Sequence, residues 1–180
     1  MKAATRLFAE QGFESTSVQA IVEAAGVTKG AMYHYFESKD DLLYEIYHRV
    51  LGMQMQRLEE IADSNDPLPD RVRAAAADVV MTSVANLDDT VIFFRSMHML
   101  HPDKQQTVRS ERRRYHVRFR ALIEEGQRSG LFRDDIPADF IVDYFFGAVH
   151  HLGNWYRASG RLSGRRVGEY FAALLLSSLR

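Results

Sequence analysis

Thr16–Leu43 reads TSVQAIVEAAGVTKGAMYHYFESKDDLL, and its punctuation decides the fold. Ser17 is a natural cap for a helix in which the apolar residues Val18, Ile21, Val22 and Ala25 recur at helical spacing. Gly26 supplies the left-handed backbone position at which a chain can turn sharply. Thr28 caps a second helix that leaves Lys29, Gly30, Tyr33 and His34 for a surface, while Val27, Ala31 and Met32 are expected to turn inward. Helix, tight turn and helix in this order are helix-turn-helix grammar, and the second helix of such a unit is shaped to lie in a DNA major groove.

Extended by a few residues, the segment LFAEQGFESTSVQAIVEAAGVTKGAMYHYFESKDDLL carries Gly-Phe after the first helix, an Ala-Gly-Val turn, Tyr-x-Tyr-Phe and Ser-Lys-x-x-Leu. In these features it resembles the N-terminal DNA-binding domain of the TetR family of bacterial transcriptional regulators. The close match covers roughly the first 48 residues, and the remainder matches as an all-helical chain of fitting length. The resemblance implies an all-α protein: a three-helix DNA-binding head over residues 1–48 and a helical effector-binding and dimerisation domain over 49–180. Members usually carry a basic arm before the first helix, whereas Met1-Lys2-Ala3-Ala4 already reads as helix, so such an arm is expected to be missing here.

Composition agrees with a compact helical chain. With 46% hydrophobic residues in 180, a substantial core can be buried. There is no cysteine, hence no disulfide, which fits a reducing cytoplasm. Neither a secretory signal nor an uninterrupted apolar run of about 18 residues is present, so no membrane is expected among the partners. Charge runs against the motif: Lys2, Arg6, Lys29 and Lys39 face Glu10, Glu14, Glu23, Glu37, Asp40, Asp41 and Glu45 in the head. DNA binders gain affinity by replacing counterions with Lys and Arg. The motif therefore requires the acids to face away from DNA and the helix starts at Ser17 and Thr28 to offer N–H groups to phosphates.

Periodicity and breakers place a first helix over Met1–Gln11, the reading pair already described, and a long helix from Lys39 to about Ala62 capped by Ser38. Asp63–Pro69 is the clearest linker. Helices are expected over Asp70–Val84, Asp88–Leu100, Lys104–Ser129, Ala138–Ser159 and Arg165–Arg180, with no strands.

Chemistry assigns roles in the head. Ser17 and its helix start suit a phosphate, and Gln19 can reach a base edge or a backbone oxygen. Thr28, Lys29 and Gly30 open the reading helix, with glycine permitting close backbone approach to a duplex. Tyr33 and His34 can donate to phosphate or pack on a thymine methyl, and Lys39 looks placed for a phosphate. The family aligns its DNA contacts with these positions. Tyr35 and Phe36 are expected to close the small core of the head.

The body is rich in large soft side chains, most of them core. A ligand cavity lined by Phe94, Met97, His98, Phe119, Tyr144, His150, Asn154 and Trp155 is expected, because Met and aromatic walls adapt to apolar ligands and a few polar groups share their helices. Adjacent His150 and His151 point to different sides of a helix and do not easily line one site together. His98 and His101 have metal-ligand spacing with Asp103 nearby, but nothing completes the set, so no metal or cofactor is expected. The segments EEGQRSGLFRDDIPADF and HHLGNWYRASGRLSGRRVGEYFAALLLSSL are similar to effector domains of TetR regulators that sense acyl-CoA thioesters. That resemblance implies CoA phosphates on Arg157 and on the arginines of ERRRYHVRFR. A solvated face is the alternative reading of Arg112, Arg113 and Arg114, and Asn154 stands where a basic residue would suit a CoA reader better.

The last two long helices are apolar on more than one face, so Phe145, Val149, Leu152, Tyr170, Phe171 and Leu174 are expected at a homodimer interface of four helices. A two-fold dimer sets two reading helices a DNA turn or more apart, implying a palindromic duplex. An effector pressing on the helices at Asp88–Leu100 and Lys39–Ala62 would shift the head spacing and release a repressed operator. No nucleophile, phosphate loop or zinc-protease pattern supports an enzyme. The remaining rival is a helical protein-interaction module without DNA binding, which the acidic head would suit.

Overall fold

The computed structural model describes residues 1–180, and every regular element in it is helical: α1 (Lys2–Gln11), α2 (Val18–Ala25), α3 (Lys29–Tyr35), α4 (Lys39–Ala62), α5 (Leu68–Ala85), α6 (Leu87–Ser96), α7 (Pro102–Arg128), α8 (Ala138–His150), α9 (Leu152–Trp155) and α10 (Gly164–Ser178). A single 3-10 turn, Met97–Met99, links α6 to α7. No helix is long and apolar enough to cross a membrane.

Local chemistry sets the starts and stops. The Ser17 hydroxyl accepts from Ala20 N at 3.0 Å, Thr28 from Ala31 N at 3.1 Å and Ser38 from Asp41 N at 3.1 Å, each satisfying one of the amide groups that a helix start leaves without a partner. Gly26, at φ 66°, makes the left-handed turn between α2 and α3. The long helix expected from Ala138 to Ser159 is instead interrupted at His151. Leu152 is fully buried there, and Gly153 lies against α6, where a Cβ would come within 2.9 Å of Val91 Cγ2. Close packing of α9 on α6 therefore bends the chain, a tertiary demand that periodicity along α8 does not register.

The core forms two clusters. One, in the body, gathers α5, α7, α8, α10 and the C-terminal half of α4 around Leu58, Val72, Val80, Phe119, Leu122 and Leu152. The other holds the head: Ala4, Phe8, Val22, Met32, Leu42, Leu43 and Ile46, together with Ile92 and Phe93 from α6, Leu100 from the connection after it and Val108 from α7. The head core thus includes body helices, and α4 belongs to both clusters. Tyr47 marks the join, with its ring edge-on to Phe93 at 4.8 Å and its hydroxyl donating to Ile92 O at 3.1 Å.

Several buried polar contacts were not foreseen from the sequence. Thr16, fully buried, donates to Gly12 O at 2.7 Å and Leu7 O at 3.3 Å, closing the end of α1. Gln54 reaches from α4 to Thr82 Oγ1 at 2.9 Å on α5. Gly126 on α7 receives the Phe132 ring of the following loop so closely that a Cβ there would lie 1.9 Å from Phe132 Cδ2. Gly126→Ala should consequently displace that ring and lower stability by about 1–3 kcal/mol, read as a fall in the urea midpoint at unchanged slope.

Candidate nucleic-acid interface and interior cavity

Along α3, Met32 alone is buried, at 6% exposure, and it anchors the helix to the head core. Lys29, Gly30, Tyr33 and His34 all lie exposed. Val27 and Ala31, expected inside, are exposed too, because a helix of seven residues resting on one methionine has little inner face. Tyr35 does not close the core either: it is 78% exposed, with its ring edge-on to His34 at 5.0 Å, while Phe36 is partly buried against the cluster. A Cβ on Gly30 would meet only Thr28 Oγ1, at 3.8 Å, an ordinary contact, so no neighbour within the chain demands glycine. On α2, Ser17 is committed to its cap and Gln19 bonds to Glu23 on an exposed face.

Lys39 departs from its expected role. Its Nζ donates to Phe13 O at 2.7 Å, Thr16 O at 2.9 Å and Glu14 O at 3.3 Å and sits 4.5 Å from the Phe13 ring centroid. All three ammonium donors are occupied, burial holds the group below its ordinary pKa, and its work is to clamp the α1–α2 loop. The acidity of the head is also partly discharged internally, because Lys104 of α7 bridges Asp40, at 2.6 Å, and Asp41.

A half-open cavity of about 70 Å³ lies where the two core clusters meet. Ile46, Tyr47, Val50, Leu51 and Gln54 of α4 form one wall, Asp89, Thr90, Phe93 and Phe94 of α6 a second, and Arg112, Tyr115, His116, Phe146 and His150 much of the rest. Among the residues expected here, Phe94 and His150 line it. Phe119 is instead core, stacked on Phe145 at 5.4 Å. Tyr144 points outward at 76% exposure. His98 is exposed in the 3-10 turn and Met97 packs on the head cluster. Asn154 pairs with His151 Nδ1 at 3.0 Å on the surface and Trp155 is half exposed, because the bend at His151 carries α9 off the line of α8.

Arg112, His116 and Tyr115 give the cavity its polar end. The guanidinium of Arg112 lies 5.0 Å from the Phe93 centroid and 5.6 Å from that of Phe94, with Nη2 3.5 Å from His150 Nε2. Burial, joined by the positive charge of Arg112 and by His116, holds His150 down to about 3, and burial with Arg112 lowers His116 as well. Both imidazoles are therefore neutral near pH 7. Arg112–Tyr115–His116 is an i, i+3, i+4 set, and that spacing is the one signal in the sequence that could have placed all three on a single inner face.

The expected interface residues divide. Phe145, Val149 and Leu152 are core, whereas Phe140, Tyr144, Tyr170 and Leu174 leave an exposed apolar face on α8 and α10, beside the partly buried Phe171. One helix cannot show which of two apolar faces looks outward.

An exposed reading helix on a capped three-helix head, joined by α4 to a helical body with an apolar cavity, defines a ligand-responsive DNA-binding regulator. The chain belongs to the TetR family: residues 1–46 match the family described as bacterial regulatory proteins, tetR family, and residues 65–179 match the tetracyclin repressor-like C-terminal domain. It is a transcriptional regulator and not an enzyme. The HTH-type transcriptional repressor KstR2 of Rhodococcus jostii is 28% identical over 98% of this chain and 87% of its own. The crystal structure of the TetR family regulator PfmR from Thermus thermophilus superposes with a TM-score of 0.91 at 26% identity, covering 99% and 97% of the two chains. AibR, solved in complex with isovaleryl coenzyme A and operator DNA, shares the fold at a TM-score of 0.84 and 21% identity, over 97% and 94%.

A histidine kept neutral in the fold but free to charge in the unfolded chain costs stability as pH falls from its ordinary 6.5 toward the folded value, here about 3 for His150. Asp89, held above its ordinary range by burial, acts in the opposite direction at lower pH. From pH 7.5 to 5.5 the protein should lose stability, by at most about 1.4 kcal/mol per pH unit for each histidine. Urea midpoints across this range should slope less steeply in His150→Gln.

Proposed function

We propose that the protein is a homodimeric repressor that grips a palindromic operator through α3 and lets go when an apolar, acyl-bearing effector, an acyl-CoA among the candidates, occupies the cavity. The observation that carries the DNA half is Gly30: nothing inside the chain needs glycine at the second position of an exposed helix start, whereas a duplex backbone approaching that surface would. Lys29, Tyr33, His34, Thr28 and Gln19 surround that point as phosphate and base contacts, with the helix start at Ser17 on a neighbouring phosphate.

The cavity supports the effector half. Its room, about 70 Å³, is well below the several hundred typical of ligand pockets. An acyl chain therefore has to part α4 from α6, and α4 leads directly into the reading pair. The acyl assignment draws on AibR, which shares the fold and was solved with isovaleryl coenzyme A. Two chains meeting through Phe140, Tyr144, Tyr170, Phe171 and Leu174 would cover the exposed face of α8 and α10 and supply the second head. The protein acts in the cytoplasm, where its operator is.

Duplexes selected from a random pool provide the test. Bound sites should be palindromic, and Lys29→Ala should weaken binding with a salt slope reduced by about one. Gly30→Ala should leave stability unchanged or raise it by about 0.5 kcal/mol while binding DNA at least tenfold more weakly; equal affinity would remove α3 from the interface. Leu174→Glu should sediment as a monomer at micromolar concentration and lose palindrome binding, whereas a dimer unaffected by it would place the interface elsewhere.

A further inference from the structure

The cavity contains a positive charge that the fold itself does not neutralise. Arg112 has no carboxylate within ion-pairing distance. Its polar neighbour is His150 at 3.5 Å, and the rings of Phe93 and Phe94 lie against it. None of the acidic groups nearby pairs with it: Asp89 is bound by Arg49 at 3.2 Å and Thr5 at 3.3 Å, Glu111 is bound by His48 at 2.8 Å through one oxygen while its buried Oε2 has no hydrogen-bond partner, and Asp143, exposed on α8, is near enough to favour the charged form of His116. Arginine cannot escape by shedding its proton, as a lysine or histidine would. A charge withdrawn from water into an aromatic cleft without a partner is costly, and an anion entering the cleft removes that cost.

From this geometry we infer that the effector carries an oxyanion as well as an apolar chain, and that Arg112 binds that oxyanion inside the cavity while the chain lies toward Ile46, Tyr47, Tyr115 and Val149. The inference rests on the effector reading above and narrows it to anionic amphiphiles. Arg112 offers a planar pair of N–H donors suited to a carboxylate or a phosphate, and His116 and His150, both neutral, each have one N–H to add without repelling a cation. The two phenyl rings against it hold the guanidinium in place beforehand, so little side-chain freedom is lost on binding.

Titration calorimetry of the whole chain with octanoate, octanoyl-CoA and octanol separates the alternatives. At least one of the two anions should bind tenfold or more tightly than octanol, and Arg112→Met should abolish that preference while leaving octanol binding within about twofold. Octanoate alone retaining the preference identifies a free carboxylate as the oxyanion, and octanoyl-CoA alone identifies a phosphate of coenzyme A, carried at the far end of the pantetheine arm. Arg112→Met should also melt higher than the parent without ligand, while octanoate raises the melting temperature of the parent only. Equal binding of octanol and both anions, or a preference that survives Arg112→Met, overturns the anion site but leaves an apolar effector standing. Failure of all three to bind overturns the cavity reading together with it.

Discussion

The contact between Tyr47 and α6 is the constraint on which the architecture depends. Tyr47 is 1% exposed, its ring wedged against Phe93 and its hydroxyl on the Ile92 carbonyl, and it stands where the head core becomes the body core. Because α4 contributes Leu42, Leu43 and Ile46 to one cluster and Met55 and Leu58 to the other, the DNA-binding head is not a bead on a linker. It is packed into the body through a continuous helix, and the cavity opens beside that joint. A void at such a place is bounded by side chains from both halves, so its shape depends on their relative position.

The head was legible from the sequence because its information is local. Ser17, Gly26, Thr28 and Ser38 each act within four residues of themselves, through a cap or a left-handed turn, and all four do so in the structure. The body was legible as helices but not as a site. Which side of α8 faces inward depends on the bend at His151 and on how α9 meets α6, neither of which is written in a period. Tyr144 and Phe145 are adjacent aromatics on one helix, yet the first lies at the surface and the second in the core. Arg112 shows the same limit from the other side: within a run of three arginines it reads as solvated, and only the packed neighbours Phe93, Phe94 and His150 set it apart from Arg113 and Arg114.

Charge bookkeeping by segment was misleading for a physical reason. Counted along the chain, the head is acidic, but the count ignores where each charge is spent. Asp40 and Asp41 are held by Lys104, a residue of the body, and Asp40 also accepts from His101 N at 3.1 Å. These acids fasten the start of α4 to the start of α7 and so serve the joint between head and body. Lys39, conversely, is a cation in the count and a loop clamp in the fold.

The sharing of α4 has a thermodynamic consequence. A rigid element that forms a cavity wall at one stretch and supports a recognition surface at another cannot convey influence in one direction only. Linkage requires that whatever factor an occupant imposes on operator affinity, the operator imposes on the occupant. Copies seated on DNA and copies adrift would then sample the same metabolite pool with different apparent dissociation constants. The dose at which the regulator responds would be a joint property of the protein and of the number of operators it serves.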